Sequence, residues 1–187
     1  MEAPRSLLIT LFLLAAAAAP GAGSSVPEAS FPVGPERRAH LQFYIHDKVS
    51  SPNATAVNVA FGPSGRIPSS TALNFASLFV VDDLLTVGPD PSSKAIGRAR
   101  GFYAVSSLNG VDLYFTVQVI FTDGPYKGSS LAVIARDPIT EPVRELPVVG
   151  GTGIFRLARG FAFMRTHQFN VTTRDAVLYV DAYILHH

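Results

Sequence analysis

Between Val111 and Thr122, apolar and polar residues alternate over most of the segment. Val111, Leu113, Phe115, Val117, Val119 and Phe121 stand against Asp112, Tyr114, Thr116, Gln118 and Thr122. A period of two puts successive side chains on opposite faces of a strand, with one face buried. The pattern recurs along the chain. Further strands are predicted over 41–49, 55–61, 75–82, 95–105, 129–136, 154–169 and 176–185. Turn signals separate them, among them Ser51-Pro52-Asn53, Gly88–Ser93, Asp123-Gly124-Pro125 and Asn170–Arg174. Gly97 and Gly101 inside the fourth strand predict bends or bulges. Outside the N-terminus no segment carries a helical period. The pattern predicts an all-β fold, an eight-stranded antiparallel up-and-down sheet. Closing that sheet into a β-barrel removes its exposed edges. An eight-stranded barrel encloses room for side chains or one small ligand. Periodicity alone also admits a sandwich.

Composition narrows the function classes. The chain is 48% hydrophobic and carries a formal net charge of +1, which suits a packed core and offers no basic run for nucleic acid. It has no cysteine, which excludes disulfides, thiol catalysis and cysteine-based zinc sites. At the N-terminus Arg5 precedes the apolar run Leu7–Ala19, Pro20 breaks it, and small residues follow. This layout predicts a secretory signal peptide over 1–24, too short to be a spanning helix. A flexible arm follows over 25–38, and one barrel domain over 39–187. No second long apolar run appears, so no membrane span is expected in the mature protein.

Two acids break the apolar rows. Asp47 shares its strand face with Leu41, Phe43 and Ile45, and Asp137 with Leu131, Val133 and Ala135. An acid facing a barrel interior costs several kcal/mol unless it is paired or hydrated. Each is therefore a candidate catalytic group or half of a structural ion pair; for Asp137 the partners in reach are Arg144 and Arg159. Two long Gly/Pro-rich loops, 62–71 and 138–151, fall at one end of an eight-strand meander, and ligands enter barrels at loop-rich mouths. Asp137 and Arg144 belong to that end. The same strand count puts Asp47 at the other end. His46 has the parity opposite to Asp47 and is expected to point outward. No histidine pair has a third ligand at metal spacing, so no metal is expected. No Gly-x-Ser-x-Gly elbow or phosphate loop occurs.

The segment Gly128–Phe163 carries Asp137-Pro138, Arg144-Glu145, Val148-Val149-Gly150-Gly151-Thr152-Gly153, Phe155 and Ala158-Arg159-Gly160. Upstream lie Phe43-Tyr44-Ile45-His46-Asp47, Asn53-Ala54-Thr55, Phe75 to Asp83 and Gly97-Arg98-Ala99-Arg100-Gly101-Phe102-Tyr103. In this order the set resembles the plant dirigent family over about residues 40–185. The resemblance implies an eight-stranded barrel related to allene oxide cyclases, assembled as a homo-oligomer, a trimer or a dimer. It implies binding of monolignol phenoxy radicals of the coniferyl alcohol type, made by a separate laccase or peroxidase and coupled stereoselectively to lignans. No cofactor is implied, since the oxidase supplies the redox step, and the protein acts in the apoplast. Asp47, Asp137 and Arg144 become the catalytic candidates, the acids moving protons at a quinone methide and Arg144 holding a phenolate. Tyr103 becomes a stacking residue for a phenol ring, and Thr166 a polar wall residue. The family also suggests two alternatives. One is a dehydratase or cyclase of pterocarpan-synthase type, acting through a quinone methide; the other is a cell-wall organiser of lignin deposition. One position departs from the pattern. Lignan-forming members carry a second tyrosine two residues after the position of Tyr103, and this chain has Val105 there.

Asn53-Ala54-Thr55 and Asn170-Val171-Thr172 are acceptor sequons for N-glycosylation. The strand count puts both at one end, opposite the long loops.

Overall fold

The computed structural model describes residues 33–50, 52–62 and 74–187. The predicted signal peptide, most of the predicted arm and most of the loop 62–71 lie outside the described residues. Nine strands form: β1 Arg37–Asp47, β2 Ala56–Ala60, β3 Leu78–Thr86, β4 Ala95–Val105, β5 Asp112–Phe121, β6 Ser130–Pro138, β7 Arg144–Thr152, β8 Arg159–Phe169 and β9 Ala176–His186. They hydrogen-bond in the order β1-β9-β8-β7-β6-β5-β4-β3-β2, and β1 also pairs with β3, which closes the sheet. The result is a closed, eight-stranded antiparallel β-barrel.

Nine segments make eight staves because β1 and β2 are one stave. Both pair antiparallel with β3, β1 through Tyr44↔Thr86 and β2 through Ala56↔Val81, so the chain does not reverse between them. It makes an excursion over 49–54 instead. The Thr55 and Ala56 amides both donate to the Lys48 carbonyl, at 2.7 and 2.9 Å, and pinch its base shut. The turn signal Ser51-Pro52-Asn53, whose first residue lies outside the described residues, therefore falls within one continuing stave, where a reversal was predicted.

The second correction restores the count. The loop predicted over 138–151 contains β7. Arg144, Leu146 and Val148 point inward, while Glu145, Pro147 and Val149 are exposed. Pro147 cannot donate to a ladder, but pairing between β6 and β7 stops at Val133↔Val148, so no β6 partner lacks its donor. Only 139–143 remains as loop.

These two changes move the ends. The turns after β4, β6 and β8 lie at the same end as the excursion 49–54; those after β3, β5 and β7 lie at the other. Asn53 and Asn170 thus share an end, and both are exposed there. That end also holds the 139–143 turn, so the two sequons sit beside the predicted mouth and not opposite it. Asp47 moves with them to the mouth, because the chain that follows it fails to turn.

The interior is the odd-numbered row of β1 and its equivalents. Phe43, Val81, Ala99, Val117, Val133 and Met164 all lie within the continuous buried cluster. The bulge expected near Gly97 is present: Leu85 pairs with Gly97 and Thr86 with Ala95, which leaves Ile96 as the extra residue. At the end away from the mouth a 3-10 helix, Gly153–Phe155, folds inward. Its Phe155 is fully buried against Phe121, Tyr126 and His186, with ring centroids 4.9–5.8 Å apart across the group. Gly151 permits this. A Cβ there would lie 2.5 Å from the backbone oxygens of both Phe155 and Ser130.

Candidate active site

A cavity of about 560 Å³ opens at the mouth end. Its lower wall is apolar: Phe79, Leu113, Phe115 and Leu178. Tyr103 stacks on Phe79 with ring centroids 4.9 Å apart and an interplanar angle of 20°. Tyr103 is both a buried residue and a cavity wall, as a stacking role requires. Above this wall Asp47, Asp137, Arg144 and Thr166 line the same space. All five predicted site residues that bear on chemistry converge there.

Asp137 ends β6 opposite Leu113 of β5, and Arg144 begins β7 across the short 139–143 turn. The turn length is what brings them together. Arg144 Nε lies 3.2 Å from Asp137 Oδ1, and both side chains are buried. The angle falls outside hydrogen-bond geometry, so the contact is an ion pair in which neither atom has a hydrogen-bond partner. Arg144 Nη1 donates to the Ile139 carbonyl at 3.2 Å and to Thr166 Oγ1 at 3.0 Å, while Nη2 has no partner. The guanidinium is thus pinned at one corner and keeps donors in hand. Burial raises the Asp137 carboxyl to about 6, Arg144 opposing the rise.

Among the described residues Asp47 makes no salt bridge like that of Asp137. Its Oδ1 also lacks a hydrogen-bond partner. Burial pushes its carboxyl well above the usual range, and the nearby charges of Asp83 and Asp175 add to the rise. Burial raises Asp83 itself to about 7, although Thr55 Oγ1 donates to its Oδ1 at 2.5 Å. Tyr103 feels both acids; after burial, their charges push its phenol further up.

Asp83 escaped the sequence analysis. The predicted third strand ended at Asp82, whereas β3 runs to Thr86. Within it Phe79, Val81, Asp83 and Leu85 share the inward parity, the same signal of an acid in an apolar row that singled out Asp47 and Asp137. The sequon asparagines lie at the same end as the cavity. Asn170 Oδ1 caps its own turn by accepting from the Thr172 and Thr173 amides at 2.9 and 3.1 Å. The Thr55 hydroxyl of the other sequon is committed to Asp83. Of the remaining expectations, His46 has outward parity but is buried, bonded to Thr86 Oγ1 at 2.7 Å. Arg159 pairs with Glu36 and not with Asp137.

Comparison with known proteins defines the class. A family model described as dirigent-like protein matches residues 38–185. Dirigent protein 21 of Arabidopsis thaliana is 40% identical over 181 residues, covering 96% of this chain and 94% of its own. Pterocarpan synthase 1 of Glycine max is 40% identical over 153 residues, 81% of each chain. The solved structure of the pterocarpan synthase dirigent protein GePTS1 superposes with a TM-score of 0.76 at 39% identity, covering 84% of this chain and 89% of that one. The chain belongs to the dirigent family. Among the described residues no helix is long and apolar enough to cross a membrane.

Proposed function

We propose that this protein controls ring closure at a quinone methide formed from a phenolic substrate inside the barrel. The observation that carries the reading is the separation of two kinds of carboxyl. Asp47 is buried, and burial pushes its carboxyl well above the usual range, while Asp137 sits on Arg144. In a substrate with a benzylic hydroxyl, the Asp47 carboxyl donates its proton as the carbon–oxygen bond breaks, and water leaves. The phenol proton passes to the Asp137 carboxylate, and Arg144 holds the phenol oxygen through its unpartnered N–H groups. A second hydroxyl of the same molecule then adds to the methide carbon. Its proton goes to Asp47, Asp137 returns its proton to the phenol oxygen, and the net change is the loss of one water. Tyr103, stacked on Phe79, offers the ring a platform that fixes which face is attacked. This is the chemistry suggested by relatives named pterocarpan synthase. Val105, buried where lignan-forming members carry a tyrosine, favours it.

The second reading is stereoselective coupling of coniferyl-type radicals supplied by a laccase or peroxidase. It is favoured by the near full-length match to proteins named dirigent protein. The same acids would serve the later closure at the coupled quinone methide. Either reaction is placed outside the cell, in a homo-oligomer, with glycans at Asn53 and Asn170.

One assay separates the readings. Purified protein is given an isoflavanol-type carbinol without oxidant and, separately, coniferyl alcohol with a one-electron oxidant. Products are resolved by chiral chromatography. Dehydrated, enantioenriched product from the first supports ring closure. Bias only in the second shifts the assignment to radical coupling. Racemic or absent product in both leaves the role of a cell-wall organiser.

A further inference from the structure

Asp83 and Asp47 stand opposite one another on neighbouring strands. The pairing of β1 with β3 runs through Tyr44↔Thr86, Ile45↔Leu85 and His46↔Leu84. The next position of that register sets Asp47 against Asp83, and both face inward. Side chains so placed have Cβ atoms roughly 4.5–5.5 Å apart, and like charges there repel. Asp83 is 4% exposed and does not line the cavity, whereas Asp47 does. The Thr55 hydroxyl accepts from the Lys48 amide at 3.1 Å and donates to Asp83 at 2.5 Å, with the His46 carbonyl further off at 3.4 Å, so of the two acids it serves Asp83.

We propose that Asp83 is a positioning residue: held by Thr55 and facing Asp47 across the strand pair, it keeps one proton shared within the pair and thereby makes Asp47 the proton donor of the cavity. The inference rests on the function proposed above. Two buried carboxyls this close do not both ionise, as in any acid dyad, and they titrate as a unit. The groups around the pair support that behaviour. On the Asp47 side these are Asp175 and Tyr103; on the Asp83 side, Asp82 raises and Arg98 and Thr55 lower its proton affinity. The hydrogen bond from Thr55 stabilises the charged form of Asp83, which leaves the shared proton on Asp47. Asp137 has a cation instead, so the cavity holds an acid and a base at once.

The test is carboxyl NMR on purified protein carrying 13C-labelled aspartate, followed through pH 3–9. In the native protein the Asp47 and Asp83 resonances should each show the same two steps, while Asp137 shows one. In Asp83→Asn, which keeps an acceptor for Thr55, Asp47 should titrate in a single step lowered by about one pH unit or more. The alkaline limb of the pH–rate profile should move to lower pH by the same amount, with turnover restored at acidic pH. A purely structural role would leave that limb in place. Independent single steps in the native protein overturn the proposal, and that measurement needs no variant. An Asp47 step unmoved in Asp83→Asn also overturns it. Coupled steps without turnover of any phenolic carbinol leave the pair standing and defeat the proposed function instead.

Discussion

The two ends of this barrel obey one alternation rule and use it for opposite purposes. At the closed end the inward positions are filled by Phe121, Phe155 and Ile184, and Gly151 lets the backbone close to contact distance. At the mouth the inward positions are Asp47, Asp83, Asp137 and Arg144, and three of these carry buried polar atoms without hydrogen-bond partners. One end is a buried aromatic and aliphatic cluster, with the His186 Nδ1 its one buried unpartnered side-chain atom among the described residues. The other retains unmet hydrogen-bonding capacity, which is costly for folding and useful for binding. The comparison teaches that stability and chemistry are divided along the barrel axis, so each can be altered separately.

The largest effect should come from breaking the closed end. Phe155→Ala removes a fully buried ring and is expected to cost about 3–5 kcal/mol, read as a fall in Tm or denaturant midpoint. The product ratio of the remaining folded protein should not change. A shifted ratio would mean the ends are coupled.

Asp137→Asn attacks the mouth. It removes the base while keeping volume, and leaves Arg144 with a neutral neighbour. Turnover should fall at least ~100-fold. Stability at neutral pH should also fall, because the buried Arg144 guanidinium loses its counterion, but by less than in Phe155→Ala, since the Ile139 carbonyl and Thr166 still hold it. A loss of Tm matching that of Phe155→Ala would make Asp137 a structural ion-pair residue.

The next effect is a pH dependence confined to the mouth. Asp137 and Asp83 are raised to about 6 and about 7, above their unfolded values near 4. The folded state therefore holds protons that the unfolded chain releases. Their contribution is full below pH 4 and is lost as pH rises through 6 and 7. Tm should thus be higher at pH 5 than at pH 8, by an amount on the order of 1–3 kcal/mol in stability. Asp137→Asn should flatten that slope, and Phe155→Ala should leave it intact.

The smallest effect separates a glycan from a hydrogen bond. Asn53→Gln should remove one glycan from protein secreted by plant cells, seen as a mass shift, with stability unchanged within about 0.5 kcal/mol. Thr55→Ala should lose the same glycan, because it breaks the sequon, and it also removes the donor to Asp83, so it should be the more damaging of the two. Equal stability of the two variants would deny Thr55 its structural role. An unshifted mass for Asn53→Gln would mean that the site is not used.

Much of this was legible in the residues. Alternation is local, and strands β4, β5, β6 and β9 fall within one or two residues of the predicted bounds. The inward acids Asp47 and Asp137 could be read because a charge in an apolar row violates a local pattern. Asp83 carried the same signal and was missed through a strand end set four residues short, a boundary that depends on pairing with β1 and β4. Ser51-Pro52-Asn53 looked like a reversal because turn residues report a bend, not its angle. The Lys48 carbonyl, bonded by the Thr55 and Ala56 amides, holds β1 and β2 in one stave. Arg144 to Thr152 looked like a loop because Pro147 and its glycines lack strand propensity, and only the place left between β6 and β8 makes that segment a strand. By itself the sequence determined the all-β class, the inward rows and most of the cavity's residues; its count of eight held because the extra stave at 55–61 offset the missing β7. The tertiary structure decided which end each turn occupies, and so that Asp47, Asp83, Asp137 and Arg144 meet at one mouth beside both sequons. Direction is a sum over every reversal in the chain, so one misread turn flips all that follows it. Only closure of the sheet through the β1–β3 pairing fixes that sum.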